Sequence, residues 1–171
     1  GEKSGKGTLS FPNGEKYIGE FINDKYEGQG TYTFSNGETY TGNLIAGEKS
    51  GKGTLSFPNG KKYVGEFIND KYEGQGTFSL PNGETYTGNF IAGEKSGIGI
   101  YTFANGDVYS GEFKNDEFEG QGTLTYSNGN IYVGEFKNNK FEGQGTYTYS
   151  NGEIFKGEFK NDKFEGWENY F

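Results

Sequence analysis

The feature that most constrains this chain is an unbroken period of 23 residues. An aromatic residue recurs once per period, with nothing inserted between copies. A unit this short cannot bury an apolar face alone, so neighbouring copies must stack on one another. The aligned positions are Tyr17, Tyr40, Tyr63, Tyr86, Tyr109, Tyr132 and Phe155.

The period predicts a single repeat array. We place a partial repeat at 1–16, full repeats at 17–39, 40–62, 63–85, 86–108, 109–131 and 132–154, and a partial or capping repeat at 155–171. The chain opens inside a repeat and without Met, so we expect it to be a piece of a longer protein. Trp167 and Glu168 break the pattern, which predicts a C-terminal cap or a connection to a further segment.

Polar and apolar residues alternate with period 2 in each unit, which predicts two strands per repeat. Pro12, Pro58 and Pro81 precede Asn-Gly steps, which favours three-residue loops built on a type I turn with a G1 bulge. We expect four-residue loops, such as Asn23–Tyr26, at the other end. The predicted fold is all-β, a single-layer extended antiparallel meander of about 14 strands, shaped as a rod or open trough.

This register places aromatic residues on one face, beside a row of glycines over which rings can pack. Tyr17 then faces Tyr32, and Phe21 faces Gly28 in a third row where Phe or Leu alternates with Gly. We interpret the ladder as core, as a partner-binding groove, or as both. Its candidate members are Tyr17, Tyr32, Tyr40, Tyr63, Phe78, Tyr86, Tyr101, Tyr109, Tyr132 and Tyr147. The structural positions are Gly19, Gly30, Gly42, Gly53, Gly65, Gly76, Gly88, Gly99, Gly111, Gly122, Gly134, Gly145, Gly157 and Trp167.

A second set of aromatic residues falls in the predicted longer loops, where Lys49 and Lys95 fill the same position in alternate repeats. These residues either staple each hairpin or form a contact line for a partner. They are Tyr26, Tyr72, Phe118, Phe141 and Phe164. The opposite sheet face, with Glu20, Gln29 and Thr31, is expected to be polar and without a binding role.

Composition restricts the classes of function. The chain has no Cys or His, which excludes disulfides and Cys/His metal sites. A net charge of −8 argues against nucleic acid and against direct binding to anionic membranes. No apolar run is long enough to span a bilayer and no signal-peptide pattern opens the chain, so we expect a soluble protein, cytoplasmic rather than extracellular. Any association with membranes or the cytoskeleton would then run through partners.

Neither catalysis nor a cofactor is predicted. The carboxylates, such as Glu20 and Glu66, recur in successive repeats, and that pattern is typical of a solvated strand face. Asp24 and Asp70 stand in Asn-Asp turns, but one carboxylate per loop is too few for Ca²⁺. We interpret these residues as turn formers and predict no metal site.

The repeat unit resembles the MORN (membrane occupation and recognition nexus) repeat. Its pattern Y-x-G-E-F-x-N-D-K-x-x-G-x-G-T-x-x-x-x-N-G is seen whole at Tyr63–Thr85 and, with Glu in place of Lys, at Tyr109–Ile131. The family's usual Trp at the fifth position is Phe or Leu here. The resemblance implies an array of β-hairpins used as a scaffold or targeting module, in some members fused to an enzyme. Lipid contacts in the family are attributed to basic residues, and this acidic chain lacks such a patch.

Three functions follow as hypotheses. The first is a non-catalytic scaffold that holds a partner segment along the aromatic and glycine-rich face; the expected partner is an amphipathic, basic protein segment. The second is a surface or matrix structural protein, in which arrays pack on copies of themselves or bind glycans. The third is a membrane-targeting module of a larger enzyme.

Overall fold

The computed structural model describes residues 1–167, which contain fifteen β-strands and no helix. No helix in that part of the chain is therefore long and apolar enough to span a membrane. The strands follow one another in sequence order in one open antiparallel sheet, which confirms the predicted all-β meander. They are β1 (Gly5–Ser10), β2 (Lys16–Ile22), β3 (Lys25–Thr33), β4 (Thr39–Ile45), β5 (Glu48–Ser56), β6 (Lys62–Ile68), β7 (Lys71–Ser79), β8 (Thr85–Ile91), β9 (Glu94–Thr102), β10 (Val108–Lys114), β11 (Glu117–Thr125), β12 (Ile131–Lys137), β13 (Lys140–Thr148), β14 (Ile154–Lys160) and β15 (Lys163–Trp167).

The chain forms two compact units. The first contains residues 1–81 and 90–93, and the second contains residues 82–89 and the chain from Glu94 onward. Antiparallel pairs join β1 through β7 within the first unit and β9 through β15 within the second. The same register recurs in both units, because both repeat the same 23-residue pattern.

The Asn-Gly turns are three-residue loops, as predicted. The N–H of Phe34 donates to the carbonyl of Glu38 at 2.8 Å, and the N–H of Gly37 donates back to the carbonyl of Phe34 at 3.0 Å. Gly37 has a φ of 86°, the left-handed conformation that a G1 bulge requires. Beyond this turn Tyr32 pairs with Tyr40, which confirms the register on that side of each strand.

The turns at the other end are shorter than predicted. Asn23 and Asp24 have φ of 50° and 64°, and Ile22 pairs directly with Lys25. Two consecutive left-handed residues make a type I′ turn, whose twist matches that of the flanking strands. The expected four-residue loop at Asn23–Tyr26 is therefore wrong, because the short polar side chains of Asn and Asp tolerate the left-handed region.

A bulge restores the predicted register at the glycine row. Glu20 pairs with Glu27, yet the next pair along is Gly19 with Gly30, so two residues of β3 have no partner on β2. Gly28 lies in this bulge with a φ of 63°. A glycine is thus required there for the backbone conformation, in addition to any packing role.

The predicted row in which Phe or Leu alternates with Gly is wrong at the strand pairs joined by the I′ turns. Phe21 pairs with Tyr26 and not with Gly28, and Leu44 likewise has Gly28 on one side but Lys49 on the other. The shorter turn moves Tyr26 out of the expected loop and into β3. The predicted loop-edge aromatics therefore belong to the sheet.

At the C-terminus, the predicted cap stays a prediction. Trp167 is the last residue of β15 and its backbone pairs with Gly157 of β14. Glu168 lies outside the described residues.

Candidate partner-binding face

The centre of the aromatic face is a row of buried tyrosines packed on glycine. A Cβ on Gly76 would lie 2.6 Å from Cε2 of Tyr63, which shows that the Tyr63 ring occupies the space above this glycine. The hydroxyl of Tyr63 donates to the carbonyl of Glu66 at 2.8 Å, so the buried phenol keeps a partner. The buried members of the ladder are Tyr17, Tyr40, Tyr63, Tyr86, Tyr109 and Tyr132.

A second ring covers the outer face of most of these tyrosines. Tyr72 stacks on Tyr63 with ring centroids 3.8 Å apart and an angle of 13° between the ring planes. Phe67 and Phe90 meet Tyr63 edge-on at 5.0 and 5.3 Å. The predicted loop-edge aromatics are thus the covering layer of the core. Equivalent stacks join Tyr17 to Tyr26, Tyr109 to Phe118, and Tyr132 to Phe141.

Lysine takes the covering position in two repeats. The Nζ of Lys49 lies 5.8 Å from the ring centroid of Tyr40 and 5.2 Å from that of Phe34. The same ammonium pairs with the carboxylate of Asp70 at 3.1 Å. Tyr40 is as fully buried as Tyr63, so an ammonium with its aliphatic stem covers the ring as completely as a phenol does.

Half-exposed rings lie beside this buried row, toward the Asn-Gly turns. Tyr32 and Phe34 are only partly buried and contact each other at 4.6 Å. Tyr101 and Phe103 repeat the arrangement at 4.8 Å. Phe34 and Phe103 were not predicted as site residues from the sequence, although their period-2 spacing from Tyr32 and Tyr101 was the signal that could have found them.

The predicted ladder therefore splits into two sets. Six tyrosines are buried, whereas Tyr32, Phe78, Tyr101 and Tyr147 are partly exposed. The second set, with the neighbouring Phe34, Phe103 and Tyr149, offers ring surface to another molecule. Replacing Tyr63 or Tyr86 would test the core and not a contact surface.

Acidic side chains line the edge of the half-exposed rings. The hydroxyl of Tyr101 donates to Oε2 of Glu84 at 2.6 Å, and that of Tyr32 donates to Oε2 of Glu15 at 3.2 Å. Burial, with the neighbouring Glu84 carboxylate as a second cause, raises the pKa of Tyr101 to about 12. This edge therefore combines apolar rings with negative charge at neutral pH.

The I′ turns bind each repeat to the one before it. Oδ1 of Asp70 accepts the backbone N–H of Lys49 at 2.9 Å, and the N–H of Asp70 donates to the carbonyl of Lys49 at 3.1 Å. Asp24 makes the same pair of bonds with Lys3. These aspartates thus stabilise backbone of a neighbouring repeat. Within residues 1–167, no three Asp or Glu side chains come together as metal ligands would.

The opposite face is less polar than predicted. Ile18 and Val64 are 47% and 45% exposed and lie in a cross-strand row with threonines such as Thr31 and Thr54. In the second unit Val133 holds the place that corresponds to Ile18, and Ile100 the place that corresponds to Thr31, at 50% and 48% exposure. The face therefore carries exposed apolar side chains as well as the polar ones that were predicted, because Ile or Val stands at some of its positions.

The chain is similar to solved structures at low sequence identity, and one of them shares its fold with a TM-score above 0.5. The SAS-4 (dCPAP) TCP domain in complex with a proline-rich motif of Ana2 (dSTIL) of Drosophila melanogaster has a TM-score of 0.51 and 15% identity, over 90% of each chain. The G-box domain of the microcephaly protein CPAP has a TM-score of 0.31 and 14% identity, over 91% of this chain and 100% of that one. No curated protein sequence matches the chain.

The family model for the MORN repeat matches nearly the whole chain. Its eight consecutive matches cover residues 1–16, 17–39, 40–62, 63–85, 86–108, 109–131, 132–154 and 155–166. These matches share the same hairpin register and the same turn positions, and each ladder tyrosine lies at the same place beside a pair of glycines. The chain belongs to the MORN repeat family.

Proposed function

We propose that this chain is a non-catalytic scaffold that holds a segment of a partner protein along its aromatic face. The observation that carries the proposal is the row of half-exposed rings next to a fully buried tyrosine row. The buried row is anchored on glycine and holds the outer rings in place. Aromatic residues in such rigid settings supply much of the energy of protein contacts.

The expected partner segment is amphipathic, with apolar anchors and Lys or Arg flanks. Apolar anchors fit the rings of Tyr101 and Phe103, while basic flanks fit the carboxylates at the ring edge, such as Glu84 and Asp107. An extended segment is also consistent with the likeness to the Drosophila TCP domain, whose structure contains a proline-rich motif. A proline-rich segment enters such a contact with little conformational entropy left to lose.

Packing of arrays on one another is a second candidate function. It is favoured by the exposed row that includes Ile18, Val64, Ile100 and Val133, because repeated β-branched residues suit contact between two sheet faces. A concentration-dependent increase in mass, abolished by Val64→Lys and Val133→Lys together, would support this function.

Selection from a displayed library of disordered segments tests the scaffold proposal and identifies the partner chemistry in the same experiment. Segments selected on the wild-type chain should bind a Tyr101→Ser, Phe103→Ser double variant about 30-fold or more weakly, since losing two aromatic anchors costs about 2 kcal/mol or more. The matched control is Ile98→Ser with Ile100→Ser, which alters exposed residues on the other face of the same strand, β9. Equal loss in both variants, or loss only in the control, would refute the proposal.

A further inference from the structure

Three lysines of this array each pair with an aspartate 21 residues later. Lys49 pairs with Asp70 at 3.1 Å, and Lys95 pairs with Asp116 at 3.4 Å. Lys3 has the corresponding contact with Asp24. Where tyrosine replaces the lysine, as at Tyr26 and Tyr72, the residue 21 positions later is Gly47 or Gly93. Where phenylalanine replaces the lysine, at Phe118, the residue 21 positions later is Asn139. Within this chain the aspartate therefore accompanies an internal ammonium group.

Asp162 breaks that rule. The residue 21 positions before it is Phe141, which is buried and stacked on Tyr132. Oδ1 of Asp162 accepts the N–H of Phe141 at 2.8 Å, but no lysine among residues 1–167 lies within ion-pair distance of it. Asn139 makes the same backbone bond to Phe118 at 2.8 Å, so the charge of Asp162 is not needed for this bond.

A cavity lies next to this carboxylate. Its volume is about 530 Å³, and Asp162 lines it together with Leu124, Tyr126, Tyr147, Tyr149 and Phe155. Leu124 stands where the preceding repeat has Tyr101, whose ring packs against Phe103 at 4.8 Å. The leucine side chain is smaller than tyrosine and lines the cavity at that point.

The covering stack is also altered at this end of the array. Phe155 holds the ladder position, and its ring meets Phe164 at 5.6 Å and 75° in place of a parallel stack. Tyr126 turns toward Tyr147, with ring centroids 6.1 Å apart. All four of these aromatic residues line the cavity.

The cavity has the carboxylate of Asp162 in its lining. Burial, with Tyr147 and the carboxylates of Asp107 and Asp162 as further causes, raises the pKa of Tyr126 to about 12. A positive charge placed among these groups would be attracted both by the carboxylates and by the ring faces, which carry negative electrostatic potential. Lys49 has the same two kinds of partner, the carboxylate of Asp70 and the rings of Tyr40 and Phe34.

We propose that this C-terminal aromatic pocket receives the ammonium or guanidinium group of a Lys or Arg side chain from the bound partner. The partner would thus provide a cation next to a carboxylate and aromatic rings, as Lys49 and Lys95 do within the chain. The inference rests on the proposed scaffold function and locates the site of one basic anchor.

Nuclear magnetic resonance titration with N-acetyl-lysine methylamide tests the pocket directly. The ring signals of Tyr126 and Tyr149 should shift and saturate, and the neutral N-acetyl-norleucine methylamide should bind about tenfold more weakly, because it lacks only the ammonium. Asp162→Asn should weaken lysine binding about two- to fivefold while keeping the bond to Phe141. Its matched control is Asp24→Asn, which removes the same charge from the first I′ turn.

A filled pocket gives an independent check. Leu124→Tyr restores the ring that Tyr101 provides one repeat earlier, and it should abolish saturable binding of the lysine probe while the chain stays folded. The proposal is overturned if norleucine and lysine derivatives bind equally, if Asp24→Asn weakens binding as much as Asp162→Asn, or if Leu124→Tyr leaves binding intact. If the lysine probe binds but no segment is captured, the scaffold function is refuted and the cation pocket is retained. If segments are captured but the probe does not bind, only the pocket is refuted.

Discussion

The repeats around Tyr63 and Tyr40 solve the same packing problem with different chemistry. Tyr63 is covered by the parallel ring of Tyr72, while Tyr40 is covered by Lys49, whose ammonium is held by Asp70. Both ladder tyrosines are fully buried and the backbone register is the same. The fold thus requires a cover over each ladder ring, and a ring or a paired lysine can provide it.

The two kinds of repeat should nonetheless differ in energy. An aromatic cover buries apolar surface and adds a ring contact worth about 0.5–1.5 kcal/mol. A lysine cover adds a cation–π contact and a partly exposed ion pair, each worth at most about 1 kcal/mol. The first is insensitive to salt, whereas the second is screened by it.

The largest expected effect comes from high pH, which acts on the part that both kinds of repeat share. Burial raises the pKa of Tyr40 and Tyr86 to about 12, and burial likewise raises the pKa of Tyr63. An unfolded phenol ionises near its ordinary pKa of 10.0, so the neutral buried form contributes stability that is fully present below pH 10 and is lost as the pH rises toward 12 and beyond. Thermal melting at about pH 9 and pH 11.5, followed with tyrosinate absorbance, should show a large fall in melting temperature. An unchanged melting temperature would mean that these rings are accessible to hydroxide in the native state.

Gly76→Val should have the largest effect of any single substitution. The branched side chain would occupy the place of the Tyr63 ring, costing between about 3 kcal/mol from overpacking and about 5 kcal/mol if the ring is expelled. Because stability in arrays is a sum of local terms, calorimetry should show the melting transition split into two. Thr54→Val, which follows the equivalent glycine of β5 on the opposite face, is the control and should melt as wild type does. Wild-type melting of Gly76→Val would contradict the close packing of Tyr63 on glycine.

Removing the cover separates the two kinds of repeat. Tyr72→Ala should lower the free energy of unfolding by about 2–3 kcal/mol, since a half-buried ring and its stack are lost. Lys49→Ala should cost about 0.5–1 kcal/mol, and this loss alone should shrink in high salt. Urea unfolding at low and high salt measures both. If both substitutions lower the free energy of unfolding equally and with the same salt dependence, the two kinds of repeat do not differ in energy.

The smallest expected effect comes from replacing the lysine that covers a ladder tyrosine by an aromatic residue. Lys49→Tyr should stabilise the chain by up to about 1 kcal/mol, because a parallel stack on Tyr40 replaces the weaker cation contact. Lys52→Tyr, on the exposed face of the same strand, controls for added aromatic surface. Destabilisation by Lys49→Tyr would show that the space over Tyr40 is shaped for lysine alone.

Much of the fold follows from sequence patterns that act over short distances. The 23-residue period, the alternation within strands and the Pro-Asn-Gly steps were enough to predict an antiparallel meander, the three-residue turns and the pairing of Tyr17 with Tyr32. Each depends on backbone conformation and strand periodicity, which neighbouring residues determine. For the same reason the placement of a ring over glycine could be expected from register alone.

Tertiary structure decided what local pattern leaves open. Asn23-Asp24 can begin a longer loop or form a type I′ turn, and the choice depends on whether a bulge at Gly28 can restore the register further along. That choice moved Tyr26 from a loop edge into the core. How far a side chain is exposed depends on the neighbouring repeats as well: Leu55 is buried, whereas Leu124, at the equivalent position, lines a cavity. Burial is a property of several repeats packed together, and it cannot be assigned to any one of them from its own residues.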